Sequence, residues 1–252
     1  MKLKLVEKKD EAKGTKSFYW ESEKPVKYIA GQYYYFTLST LKYPDPRGAT
    51  RHFTLSSSPT DGNLIRNTTR IRPESGFKKT LDELEIGTLI DGEGPNGTFI
   101  LDEAEPGPHV FLAGGIGITP FRSMIKYAAD KNLNTQIHLI YSNSIPEEIT
   151  FRAELENLAK SWPNLKLDMT ITKPEESKEQ WKGLTGRIDE ETQRAISIGD
   201  VAACHTVRVK GQPHEQYGSN CASDATAAKG HVRTGHASRS HGTTASRRPL
   251  KY

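Results

Sequence analysis

Cysteine is nearly absent: only Cys204 and Cys221 occur, both in the last fifth of the chain and without C-x-x-C spacing. That excludes a disulfide framework, a zinc site of familiar spacing and an iron–sulfur cluster built into the chain. Long apolar runs are missing too. Nothing approaches the roughly 20 residues that cross a bilayer, and the first residues, Met1 to Lys9, hold no secretory apolar core, so a cytoplasmic setting without a membrane span is expected. Nor is there an excess of positive charge where a nucleic-acid face would need it. The formal net charge is +4, yet residues 201–252 hold eight Lys/Arg against two Asp/Glu, leaving 27 against 29 for residues 1–200. The first two hundred residues are slightly acidic, which argues against nucleic acid as a partner.

From Val201 onward there is no Ile, Phe, Met or Trp and a single Leu. Five of the eight histidines lie there, at 205, 214, 231, 236 and 241, following neither helical nor zinc spacing, so no metal is expected. Such a segment can bury little apolar surface against chain entropy. Residues 201–252 therefore read as a disordered tail, or as the product of a reading-frame shift after Asp200.

Earlier segments carry clear periodicity. Leu3 to Val6, Ser17 to Trp20, Gln32 to Leu38, Arg51 to Leu55 and Thr69 to Arg72 are β-branched or aromatic runs bounded by turn residues, as in an antiparallel barrel. One helix, Lys78 to Leu84, interrupts them, with Phe77, Leu81 and Leu84 on one face. After about residue 105 strands and helices alternate: Val110 to Ala113, Pro120 to Asp130, Gln136 to Tyr141, Thr150 to Lys160, Lys166 to Thr172. That rhythm predicts a parallel α/β sheet. Phe151, Leu155, Leu158 and Trp162 form an apolar stripe suited to its core.

The stretch His109-Val110-Phe111-Leu112-Ala113-Gly114-Gly115-Ile116-Gly117-Ile118-Thr119-Pro120 runs from a buried strand through three glycines into a helix that opens on proline. Glycines admit close approach by a ligand, Thr119 can cap the helix, and Pro120 sits where a missing N–H costs nothing. The helix N-terminus is a ready anion site, suited to a dinucleotide pyrophosphate, although the spacing is G-x-G-x-x-P and not G-x-G-x-x-G.

Arg51-His52-Phe53-Thr54-Leu55-Ser56-Ser57-Ser58-Pro59 resembles the R-x-[YF]-[ST]-x-x-S-x-P flavin motif of the ferredoxin-NADP reductase-like family, the FAD-binding FR-type oxidoreductases. Gly31-Gln32-Tyr33, Ser75-Gly76-Phe77-Lys78 and Gly94-Pro95-Asn96-Gly97-Thr98-Phe99 are similar to further motifs of that family, in the family's order. The glycine stretch at 114–117 then resembles its pyridine-nucleotide loop. The resemblance covers roughly residues 1–190. It implies two domains, an FAD-binding antiparallel β-barrel at 1–104 and a Rossmann-like NAD(P)-binding α/β domain at 105–200, followed by the tail at 201–252.

The resemblance also implies roles. Arg51 would hold the FAD pyrophosphate with its permanently charged fork. Phe53 would stack on the isoalloxazine, and Thr54 would put a hydroxyl near flavin N5 as the catalytic contact. Ser57, with Gly76, Phe77 and Lys78, would complete the flavin site. Gly114, Gly115, Gly117 and Thr119 would lie against NADH or NADPH. The implied reaction is hydride transfer from nicotinamide C4 to flavin N5, then electron delivery to an unidentified protein or small-molecule acceptor, with no acid or base required. His52, His109 and His138 read as structural or exposed. Ser144 stands where NADP-using relatives often have arginine, which favours NADH. Lys173 and Arg187 are the other cations placed to reach the adenosine end.

One departure from the family is expected. Its members continue with a strand, a Gly-Pro-Pro turn, a helix and a last strand with a terminal aromatic. Here Thr206 to Pro213 is at most a damaged version of the strand and turn, so the nucleotide domain reads as truncated after about residue 200. Two alternatives follow: a flavin-binding but catalytically impaired homologue, or an interaction protein acting through its basic tail. Oligomeric state has no signature in the sequence.

Overall fold

The computed structural model describes residues 1–105 and 107–188 and, beyond them, the backbone of two strands, His205–Val209 and Gln216–Gly218. All of these belong to one unit, Met1–Cys221. The rest of the segment read from sequence as a disordered tail lies outside the described residues.

The first sheet is antiparallel, with strand order β4-β3-β6-β1-β2-β5. Its strands are β1 (Lys2–Ala12), β2 (Thr15–Ser22), β3 (Tyr33–Thr37), β4 (Thr50–Thr54), β5 (Ile65–Arg70) and β6 (Leu89–Asn96). The outermost two, β4 and β5, meet through a Leu55–Asn67 bridge and a 2.7 Å bond from Ser56 N–H to the Arg66 carbonyl, which closes the sheet into a barrel. Leu3, Leu5, Phe18, Trp20 and Phe36 fill it. Helix α1 (Gly76–Glu83) joins this core through Phe77 and Leu81, its i and i+4 pair.

Three strands differ from the sequence expectation, each for a physical reason. β1 runs well past Val6, because Glu7–Ala12 pairs with β2 as a charged ribbon that carries no apolar burial signal. β6 is rich in glycine, proline and acidic residues, so no strand was expected there. β5 lies at 65–70 and not 69–72, because its buried positions are polar: Arg66, Asn67, Thr68 and Thr69 are all 5 % exposed or less. Partners make that burial tolerable. Asn67 accepts from Trp20 Nε1 at 2.6 Å, and Thr68 bonds Ser17 and Ser56 at 2.6 and 2.7 Å.

The second sheet has the order β10-β9-β8-β7-β11-β12. Strands β7 (His109–Gly114), β8 (Ile137–Asn143), β9 (Leu165–Ile171), β10 (Leu184–Thr185) and β11 (His205–Val209) are parallel, and β12 (Gln216–Gly218) is antiparallel to β11. β7 is buried on both faces, as a central parallel strand should be. Helices α2 (Thr119–Asp130) and α3 (Arg152–Ser161) lie close to their expected positions, and Phe121, Ile125 and Leu155 pack with Phe111 and Leu139. Phe151 precedes α3 at φ +62°, an unusual value for a bulky residue. Its ring is buried in the core with the Arg66 guanidinium 5.0 Å from its centroid. Among the described residues, no helix is long and apolar enough to cross a membrane.

The parallel sheet extends one strand beyond the break expected at Asp200. β11 runs beside β7 in register from His205 opposite His109 to Val209 opposite Ala113. Strands β8 and β9 lie on the other side of β7. The strand order therefore reverses at β7, and the glycine loop leaves its carboxyl end at that reversal, where open α/β sheets bind ligands.

Candidate functional site

The residues read from sequence as a flavin phosphate cradle do converge. Ser75 caps α1, its hydroxyl accepting from Lys78 N–H at 3.3 Å. Gly76 follows, and a Cβ there would come within 2.2 Å of the Pro44 carbonyl oxygen, so only glycine lets the 43–45 segment lie on the helix start. Arg51, buried on β4, stacks over Phe77 with its guanidinium carbon 5.1 Å from the ring centroid. The cradle holds the carboxylate of Asp45, a residue that sequence reading did not single out. Its oxygens accept from Phe77 N–H at 2.9 Å, Ser75 Oγ at 3.0 Å, Arg47 N–H at 3.0 Å and Arg51 Nη2. Burial alone would raise the Asp45 pKa, but these bonds and the Arg51 charge hold it down at about 2. Arg51 Nη1 donates to the carbonyls of Arg47, Gly48 and Thr50 at 2.9, 3.0 and 2.7 Å.

Lys78 Nζ donates to the Arg70 carbonyl at 3.0 Å. Burial, reinforced by Arg72, Arg47 and Arg51 and partly offset by Glu74, lowers its pKa to about 8. Phe53 is half-buried, with ring centroids of Phe36 and Phe77 at 5.8 and 6.1 Å. Thr54, at the end of β4, pairs with Tyr33 and is half-exposed. The Ser57 hydroxyl is taken by Tyr28 OH at 2.8 Å and Arg66 N–H at 3.0 Å, so its role in the structure is to fix the turn after β4.

Gly114 precedes a single 3₁₀ turn, Gly115–Ile118, which contains Gly117 and leads into α2. This corrects the capping role expected of Thr119. The residue before the helix is Ile118, no side chain caps it, and Thr119 is already the first helical residue and buried. The turn takes up the chain direction that a capping side chain would otherwise fix. Gly115 needs glycine for its φ of +51°. Gly114 does not: its φ is −124° and a Cβ there would meet nothing within 4 Å. Tyr141, fully buried on β8, holds the loop by donating to the Gly115 carbonyl at 3.0 Å, a contact that only the parallel register reveals.

The two halves of the site are directly joined. Ser123 Oγ donates to the Ser57 carbonyl at 2.6 Å, and Arg122 Nη1 to the Ser56 carbonyl at 2.9 Å. Arg122 is buried and also pairs with Asp61 and Glu154. Among the described residues, His138 bonds Asp168 across β8 and β9 at 2.6 Å, and His109 stacks on Phe111. Among the described residues, no group of three His, Cys, Asp or Glu side chains is arranged to hold a metal.

Comparison with known proteins agrees with this architecture. The oxidoreductase NAD-binding domain family matches residues 111–213, a span that includes β11. A ferredoxin–NADP reductase B of Sorangium cellulosum is 30% identical over 150 residues, 59% of this chain and 60% of the relative. A glycine betaine monooxygenase reductase subunit of Chromohalobacter salexigens is 30% identical over 57% of this chain and 39% of its own length. The chain thus spans less than two thirds of these relatives. Among solved structures, the cytochrome b5 reductase domain of Ulva prolifera nitrate reductase superposes with a TM-score of 0.65 at 24% identity, over 77% of this chain and 80% of that one. The CS-b5R domains of human Ncb5or give 0.68 at 21% identity, over 82% and 61%. Both share its fold.

Proposed function

We propose that this chain is a ferredoxin-NADP reductase-like protein, an FAD-containing oxidoreductase that takes a hydride from NAD(P)H and hands electrons to a separate acceptor. In this reading residues 1–104 are the flavin domain and the nucleotide domain begins at 105. The observation that carries it is the anion cradle, in which Arg51, the Ser75 hydroxyl and the Phe77 N–H meet on one carboxylate. A buried guanidinium, a helix N-terminus and a glycine that admits close approach are the donor set a pyrophosphate requires. When bound, FAD supplies the ring that accepts the hydride and releases electrons onward.

The chain's own part is position and exclusion of water. Arg51, Ser75 and Phe77 hold the phosphates, and Lys78 adds charge beside them. Phe53 offers an aromatic face and Thr54 a hydroxyl to the ring. Gly114 leaves open the space that the pyridine nucleotide approaches, while Tyr141 fixes the loop. No general acid or base is needed.

NADH is the preferred coenzyme in this reading. Ser144 carries no charge for a 2′-phosphate, and Lys173, whose N–H bonds the Ser144 carbonyl at 2.9 Å, turns its ammonium to Glu176 at 2.7 Å. Titration of the purified protein with FAD tests the proposal. One FAD bound per chain is expected, with binding lost in a folded Arg51→Leu variant. A folded native chain that takes up no FAD would overturn it.

A further inference from the structure

We propose that Asp45 is an internal competitor for the flavin phosphate site, a carboxylate that occupies the cradle and sets the affinity at which a diphosphate can enter. The inference rests on the flavin reading above. Its basis is saturation. A carboxylate has about four lone-pair directions, and Asp45 uses all four, on Phe77 N–H, Ser75 Oγ, Arg47 N–H and Arg51. Three of those donors are the ones a pyrophosphate would use. The Asp45 and Arg51 side chains are only 4 % and 8 % exposed, each covered largely by the other and by the donors they share. A diphosphate must therefore exchange with Asp45 and cannot simply add to it.

The segment that carries Asp45 is built for such an exchange. It lies on the connection between β3 and β4, with Pro44, Pro46, Arg47 and Gly48 all exposed around it. Its upstream end is tied to α1 by Lys42 N–H to Thr80 Oγ1 at 3.1 Å and by the Lys42–Glu83 pair. Downstream, the Leu38 N–H to Ala49 carbonyl bond of 3.0 Å closes the base of the connection. Between these anchors the turn is held by the Gly48 N–H to Asp45 carbonyl bond of 2.9 Å, by Arg51 Nη1 on the Arg47 and Gly48 carbonyls, and by the carboxylate's own contacts. Releasing the carboxylate removes its own ties to the turn and leaves both anchors and the Arg51 Nη1 contacts in place. The apparent affinity for the diphosphate is then reduced by the fraction of molecules in which Asp45 has left the cradle.

Asp45→Asn keeps the shape and removes the charge that Arg51 and the helix N-terminus favour. The test is FAD binding by quenching of flavin fluorescence, repeated with ADP as a probe lacking the ring, alongside thermal unfolding without ligand. The expected result is opposite in sign for the two readouts: at least tenfold tighter binding of FAD and of ADP, with a lower unfolding midpoint. Unchanged or weaker binding by the folded variant overturns the proposal, because it would make Asp45 a support for Arg51 and not its competitor. Asp45→Ser, which removes the carboxylate and leaves a small polar side chain, replaces the first variant if that does not fold, with the same outcomes. Failure of the native chain itself to bind FAD overturns the flavin reading. Native binding that Asp45→Asn leaves unimproved overturns only the competition.

Discussion

The hydroxyl of Ser123, in the second turn of α2, donates to the carbonyl oxygen of Ser57 at 2.6 Å. Arg122 does the same for Ser56, so two consecutive residues of the nucleotide helix hold two consecutive carbonyls of the Arg51–Pro59 motif. The distance between the two proposed ligand sites is thereby set by buried hydrogen bonds, which resist sliding better than apolar contact does.

Ser123→Ala should loosen that link while leaving both sites intact. A lost buried hydrogen bond costs about 1–2 kcal/mol. Calorimetry should show the midpoint falling by about 3–6 °C for a chain of this size. FAD affinity should stay within about twofold, while flavin reduction by NADH in stopped flow slows severalfold. Unchanged reduction would show that the link is structural only.

Gly114 and Gly115 should separate binding from stability. Alanine at 115 must adopt a φ of +51° and should cost about 1 kcal/mol of stability. A Cβ at 114 meets nothing within 4 Å, so the unfolding midpoint of Gly114→Val should hold. Its side chain would stand where the pyridine nucleotide approaches, and the KM for NADH should rise at least about tenfold, a loss near 1.4 kcal/mol of binding.

Lys78 should make flavin binding depend on pH. Its folded-state pKa of about 8 lies below the ordinary 10.5, so between those values the unfolded chain holds a proton that the folded chain has lost, and folding stability gains as pH rises. Bound diphosphate restores the charged form, so binding takes up a proton in that window and weakens as pH rises. FAD affinity should fall about tenfold from pH 7.5 to 9.5, equivalent to one pKa unit of coupling, and Lys78→Met should flatten the profile. Fluorescence titration at several pH values checks both.

Asn67→Ala tests the polar strand at the barrel seam. It removes the acceptor of Trp20 Nε1, leaving a fully buried donor unpaired, and should cost about 2–3 kcal/mol in denaturant unfolding. Recovery of most of that loss in Trp20→Phe/Asn67→Ala would identify the unpaired donor as the cause.

The periodic elements were legible in the sequence because burial and period coincide in them: Val110–Ala113, Phe121–Ile125 and Leu155 carry both signals. The glycine stretch was legible as a strand-to-helix turn because three glycines and a proline follow an apolar strand run. β5 escaped because Arg66–Thr69 are buried through hydrogen bonds, which leave no apolar pattern. β11 was read only as a damaged version of a strand, for another reason. His205–Val209 is short and polar in alternation, and it takes its place by backbone pairing with β7. Asp45 gave no sign beyond a Pro-Asp-Pro-Arg-Gly turn, since its meaning comes from the 32 residues of chain that bring Phe77 against it. Tyr141 and Ser123 likewise act through contacts that only tertiary register creates.

The central claim is that this chain passes a hydride from a pyridine nucleotide to a flavin held at Arg51 and Phe77. Anaerobic titration of the FAD-loaded protein with NADH, then with NADPH, followed by the visible flavin absorbance, tests it most directly. The account predicts bleaching by one equivalent of NADH, faster than by NADPH, and recovery of the yellow colour when an electron acceptor is added. A bound flavin that stays yellow with both nucleotides would contradict it.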